Sequence, residues 1–192
     1  MTGSAYQCTA ERGSRRLRIR YWPSSVLLAL ATHCAAASAH SASDAYLTLT
    51  VDKANSRDPF VVHGQWDIAL RDLDFVLQMD DDGDGRLSWG EVRRHQAAIR
   101  RYAFNFLHVA GDAGAGCAIK PARQMVDAHA DGAYAVLFFD VVCNRAPGKL
   151  SIDYTIFFAI DPSHRGILVM KNGAGTASAV LSPQNSRIEL RP

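Results

Sequence analysis

Apolar and polar residues alternate through Tyr46-Leu47-Thr48-Leu49-Thr50-Val51, and the run is rich in β-formers, so it predicts a strand. A second strand is expected within residues 60–70, where Trp66, Ile68 and Leu70 recur at period two after His63-Gly64. The period then lengthens. Leu73, Val76, Leu77 and Asp80 sit at helical spacing and predict a short helix over residues 72–79. A longer helix is expected over 88–108. Val92, Ile99, Ala103 and Phe106 form its apolar stripe, with Arg93, Arg94, Arg100 and Arg101 on a neighbouring face. The glycine-rich stretch 111–116 should stop it. Beyond that the pattern is β-like again, over 117–119, 124–129, 134–143, 150–160, 166–171, 178–182 and 187–190. Asp131-Gly132, residues 144–148, Asp161-Pro162 and Asn172-Gly173 punctuate these segments as turns. Strands flanking one helical pair imply the α+β class: a mainly antiparallel β domain, sheet or sandwich, with an inserted helix–loop–helix.

The first forty residues follow a different pattern. Arg15, Arg16, Arg18 and Arg20 precede the Leu- and Ala-rich stretch 26–39, which closes on Ala37-Ser38-Ala39. A basic start, an apolar run and small residues at the −3 and −1 positions are the marks of a cleavable signal. The apolar run is short and is broken by Thr32, His33 and Ser38, so it would cross about 30 Å of hydrocarbon poorly. The expected organisation is a signal peptide over 1–39 and a single exported domain over 40–192, periplasmic or extracellular, with His40 as its new N-terminus. No run of 18 apolar residues follows residue 40, so the cleaved protein is expected to be soluble.

Export changes the charge and cysteine readings. The full chain carries a formal net charge of +2, but five of its basic residues and one acid lie in the first 39 positions, leaving the remainder acidic. Nucleic-acid binding then has no compositional support. Of the four cysteines, Cys8 and Cys34 leave with the signal. Cys117 and Cys143 remain, and two thiols in an exported chain predict one disulfide, with two separate buried thiols as the alternative.

The densest chemistry lies in Asp80-Asp81-Asp82-Gly83-Asp84-Gly85-Arg86-Leu87-Ser88-Trp89-Gly90-Glu91. This run fills every diagnostic position of a twelve-residue EF-hand calcium loop. Asp80, Asp82 and Asp84 supply carboxylates at positions 1, 3 and 5, and Gly85 supplies the sharp turn at position 6. Arg86 can give only its backbone carbonyl. Ser88 coordinates directly or through water, and Glu91 closes the shell with two oxygens. Asp81, at position 2, should point away. The hand spans about residues 72–108 and is solitary, so it reads as a structural clip with extracellular-type affinity, on the order of 10⁻⁴–10⁻³ M. Calcium is the one cofactor expected.

Other constellations are sparser. Asp127, His129 and Asp131 alternate and could share one face of a strand. His40, as a free N-terminus, could chelate a transition metal with His63, His129 or His164 as partner. A metallochaperone or metal-dependent enzyme using His40, His129 or His164 is therefore the alternative function. No Gly-x-Ser-x-Gly or His-Glu-x-x-His occurs, and no catalytic constellation is expected.

Residues 66–74, the loop 80–91, Asp131-Gly132-x-Tyr134, Cys143, Asp153-Tyr154 and His164-Arg165-Gly166 together resemble an exported bacterial domain. It is the N-terminal domain of the hydrogenase/urease accessory (HupE/UreJ-like) membrane protein family. The resemblance implies a protein partner that is membrane-bound or metal-handling, such as a HupE/UreJ-like membrane protein. Larger members of that family continue into a membrane bundle suspected of nickel transport. This sequence reaches Pro192 with no such bundle, so the expectation is a stand-alone version or a truncated membrane protein, and transport is not carried over.

Overall fold

Alternation built the strands where it was clearest. Leu47 and Leu49 in β1 (Asp44–Thr50) and Trp66 and Ile68 in β2 (Phe60–Ala69) are buried on the inward face of a sheet. The computed structural model describes residues 43–52, 59–112 and 114–192. The proposed signal 1–39 and His40 lie outside the described residues.

β2 runs without a break into α1 (Leu70–Leu77), two residues earlier than the helical period suggests. Then follow α2 (Trp89–Phe104), β3 (Leu107–Gly111), β4 (Cys117–His129), β5 (Gly132–Cys143), β6 (Leu150–Tyr154), β7 (Arg165–Asn172), β8 (Gly175–Leu181) and β9 (Arg187–Leu190). Six strands form one sheet in the order β4-β5-β2-β1-β7-β8, and three form a second in the order β3-β6-β9. All pairs are antiparallel except β1 with β7, which run parallel from Asp44↔Arg165 to Thr50↔Lys171. This is the expected α+β class.

One hydrophobic cluster joins Leu47, Trp66, Leu137 and Leu168 of the large sheet to Ile152 and Tyr154 of the small one and to Val92, Ile99 and Ala103 of α2. Gly64 matters to this packing. A Cβ there would sit 2.3–2.6 Å from the Phe139 ring, so only glycine lets that ring lie against β2.

Three further boundaries differ from the sequence reading. α2 ends at Phe104 rather than at residue 108, and the Phe106 N–H closes its last turn onto the Ala103 carbonyl at 3.0 Å. Leu107 and Val109 then alternate with exposed His108, and pairing with β6 captures them as a strand. The segments 117–119 and 124–129 are one strand, irregular between Pro121 and Gln124, where proline lacks an N–H for the ladder. β6 stops at Tyr154, and residues 156–160 form a turn containing Phe157 at φ +62°.

Cys117 and Cys143, direct partners across β4 and β5, are joined by a disulfide. No helix among the described residues is long and apolar enough to cross a membrane.

Candidate metal centre

α1 ends because Gln78 turns left-handed, at φ 51°, and returns its N–H to the Asp74 carbonyl at 2.7 Å. The Asp74 side chain then reaches over the helix end. Its Oδ1 accepts from the N–H groups of Met79 at 2.7 Å and Asp80 at 3.2 Å. Met79 is fully buried, so the first residue of the loop follows an anchored one.

Within the loop the carboxylates organise the backbone. Asp80 Oδ1 accepts from Gly83 N–H at 2.8 Å and Asp84 N–H at 3.2 Å, and its Oδ2 accepts from Gly85 N–H at 2.9 Å. Asp82 Oδ1 accepts from Asp84 N–H, and Asp84 Oδ1 accepts from Arg86 N–H at 2.8 Å. Gly83 at φ +71° and Gly85 at φ +79° supply the left-handed turns that wrap the chain. One carboxylate oxygen from each of Asp80, Asp82 and Asp84 lies within 4.8 Å of the others, the one such group among the described residues.

The closing residue is built into the start of α2. Ser88 caps the helix and accepts from Glu91 N–H at 3.3 Å, while Glu91 Oε2 accepts from Ser88 N–H at 2.8 Å. Glu91 Oε1 accepts from Asp81 N–H at 3.0 Å, which ties α2 back to the loop. Glu91 is only 2% exposed, and these backbone donors, Ser88 first, hold its carboxyl below the usual range. It is not one of the three clustered carboxylates. Asp82 is pushed the other way. The Asp84 N–H holds its pKa down, but the negative charges of Asp84 and Glu91 and the loss of water outweigh that bond.

The donor set is all hard oxygen, which fits a calcium ion and excludes a soft-metal preference. The fit would be completed by the Arg86 carbonyl, the Ser88 hydroxyl and Glu91, the last released from one of its capping bonds. Asp81 turns away as expected: its carboxylate meets Arg94 at 2.8 Å and His95 at 2.9 Å, and these two partners, His95 first, lower its pKa. Asp74, Arg94 and His95 were not foreseen as parts of this centre. The signal for Asp74 is its place in the last turn of α1, six residues before Asp80.

The described histidines of the alternative reading sit elsewhere. His129 Nε2 lies 3.3 Å from Asp67, and its ring stacks on Tyr134 at 4.0 Å. Asp131 instead accepts from the Tyr134 hydroxyl at 2.8 Å and pairs with Arg71, and Asp127 accepts from the N–H of Ala128. His63 pairs with Asp140 at 2.7 Å. His164 is fully buried, with Nδ1 2.6 Å from Ser43 Oγ and Nε2 2.7 Å from the Tyr154 hydroxyl. No protein-family model matches the chain, and no curated protein matches it.

Proposed function

We propose that the protein is an exported calcium-binding module in which one EF-hand loop holds a single ion. The ion would be held by the carboxylates of Asp80, Asp82, Asp84 and Glu91, the Arg86 carbonyl and the Ser88 hydroxyl. The observation that carries this reading is the convergence of three carboxylates in a loop already wrapped by two left-handed glycines. Bound calcium supplies positive charge that offsets the repulsion raising the Asp82 pKa.

The consequence is structural. The loop joins α1, which leaves the large sheet directly, to α2, which packs into the common core, so an ion there fixes how the two helices meet. The module then presents a calcium-stiffened surface to a partner. The resemblance to the exported HupE/UreJ-like domain favours a membrane or metal-handling protein as that partner, and the disulfide suits an oxidising, exported compartment.

Thermal melts of the exported protein, with calcium and with chelator, test the reading. At calcium 100-fold above Kd, mass action stabilises by about 2.7 kcal/mol. For a domain of this size that is a rise in Tm of about 5–10 °C. The absence of any calcium-dependent rise refutes it.

A further inference from the structure

Away from the loop, α1 and the connection between β6 and β7 face each other across a cleft of about 340 Å³. Phe75, Phe157 and Ile160 line it with apolar surface, and Ser43, Asp72 and Asp161 with polar groups. Two of the apolar residues are unusually wet. Phe75 is 76% exposed and Ile160 49%, although α1 buries Leu70 and Leu73 on its other side. Phe157 is buried but held at φ +62°, a conformation that costs a bulky residue free energy.

A buried polar chain sets the back of the cleft. Ser43 Oγ donates to Asp72 Oδ2 at 2.8 Å, so it must accept from His164 Nδ1–H, which leaves Nε2 to accept from the Tyr154 hydroxyl. Asp72 is thereby held in one orientation. Asp161 is held similarly, with Oδ1 accepting from the N–H and hydroxyl of Ser163 at 2.8 and 2.6 Å. Arg71 also lines the cleft: its Nε lies 3.6 Å from Asp72 Oδ1, and its two terminal nitrogens reach Asp131, donating to the carbonyl at 3.1 Å and meeting Oδ2 at 3.4 Å. The cleft thus carries two oriented carboxylates against one guanidinium that is shared with a third. Burial raises the Asp72 pKa, outweighing the Ser43 hydrogen bond and the Arg71 charge that lower it, and the nearby charge of Asp161 adds to the rise.

We propose that this cleft binds a small organic monocation, its ammonium or guanidinium head between Asp72 and Asp161 and its apolar body against Phe75, Phe157 and Ile160. The volume suits a ligand of modest size, with apolar walls and few convergent polar groups. Two carboxylates against one shared guanidinium disfavour an anion, and a neutral apolar guest leaves them with that shared Arg71 as the counter-charge of the cleft lining. The site does not rest on the calcium reading.

The probe is 2-phenylethylammonium chloride, titrated into the ¹⁵N-labelled exported protein in the presence of chelator, so that the loop carboxylates hold no calcium in any arm. 2-Phenylethanol and 3-phenylpropionate are the neutral and anionic comparisons. Saturable amide shifts confined to residues 43, 71–75 and 157–164 are expected with the amine. The alcohol should bind at least five-fold more weakly, and the carboxylate not at all. Asp161→Asn keeps an acceptor for Ser163 and should erase the preference for amine over alcohol. Phe75→Ala, at a solvent-facing position, should weaken amine and alcohol alike. The proposal is overturned by equal binding of amine and alcohol, by shifts spread over the surface or centred on residues 80–91, or by an Asp161→Asn variant that binds the amine as well as wild type.

Discussion

Glu91 and Asp81 are acids ten residues apart that share one hydrogen bond, yet substitution should affect them oppositely. Glu91→Gln keeps an oxygen for the Ser88 N–H and so preserves the helix cap, but it cannot offer two anionic oxygens to calcium. It should abolish most of the calcium-dependent rise in Tm. Asp81→Asn loses an exposed pairing with Arg94 and His95 and should leave that rise intact. Melts of both variants with and without calcium check the contrast, and an equal loss in the two overturns the assignment of the loop.

His164 makes a second prediction at this scale. Burial lowers its pKa to about 4, so it is neutral in the folded protein where an unfolded histidine, near 6.5, begins to charge. Between those values the unfolded state binds more protons. The stability contributed by the neutral ring is therefore complete above about pH 6.5 and is lost as pH falls towards 4, by about 3 kcal/mol in all. Asp72, whose pKa is raised, contributes the opposite slope nearer the carboxylate range. Denaturant melts from pH 7.5 to 4 should show stability falling more steeply in wild type than in His164→Gln.

At the scale of elements, the sheet and the helical pair were legible wherever a single period dominated. Leu47 and Leu49 alternate, Trp66 and Ile68 alternate, and the loop between the helices has a fixed spacing of carboxylates and glycines. The misplaced end of α2 lies where two periods overlap. Ala103 and Phe106 extend the helical stripe, while Leu107 and Val109 start a strand whose partner, β6, is some forty residues away. Nothing local could weigh that pairing. The cleft was hidden for the same reason: Ser43, Asp72 and His164 meet only because β1 and β7 are neighbours. The disulfide was legible by counting, but its role was not. It fastens β4, one of the two outer strands of the large sheet, to β5, and closes a loop of 26 residues. Reduction should cost about 3 kcal/mol in the chain-entropy description. Urea melts with and without reductant measure the loss, and alkylation of the unreduced exported protein should find neither Cys117 nor Cys143 free.

For the whole molecule, the expectation of export is tested at the N-terminus. Protein recovered from the periplasm should begin at His40, and material still beginning near Met1 refutes cleavage. If His40 is the first residue, Ser43 and the polar chain behind the cleft lie three residues from the new terminus. Extensions fused there should then weaken amine binding more than extensions fused after Pro192.

The parallel pairing of β1 with β7 concerns time as much as space. Asp44 finds Arg165 across more than a hundred residues, so the centre of the large sheet closes only when nearly the whole chain is present. In a chain threaded through a membrane N-terminus first, β1 emerges early and finds β2 within reach, but its other edge waits for the last third of the sequence. In such a chain the half-built sheet would not lock before translocation was almost finished. If the protein is exported as proposed, that would keep the polypeptide pliable during threading and would leave one edge of β1 unzipped until β7 arrives.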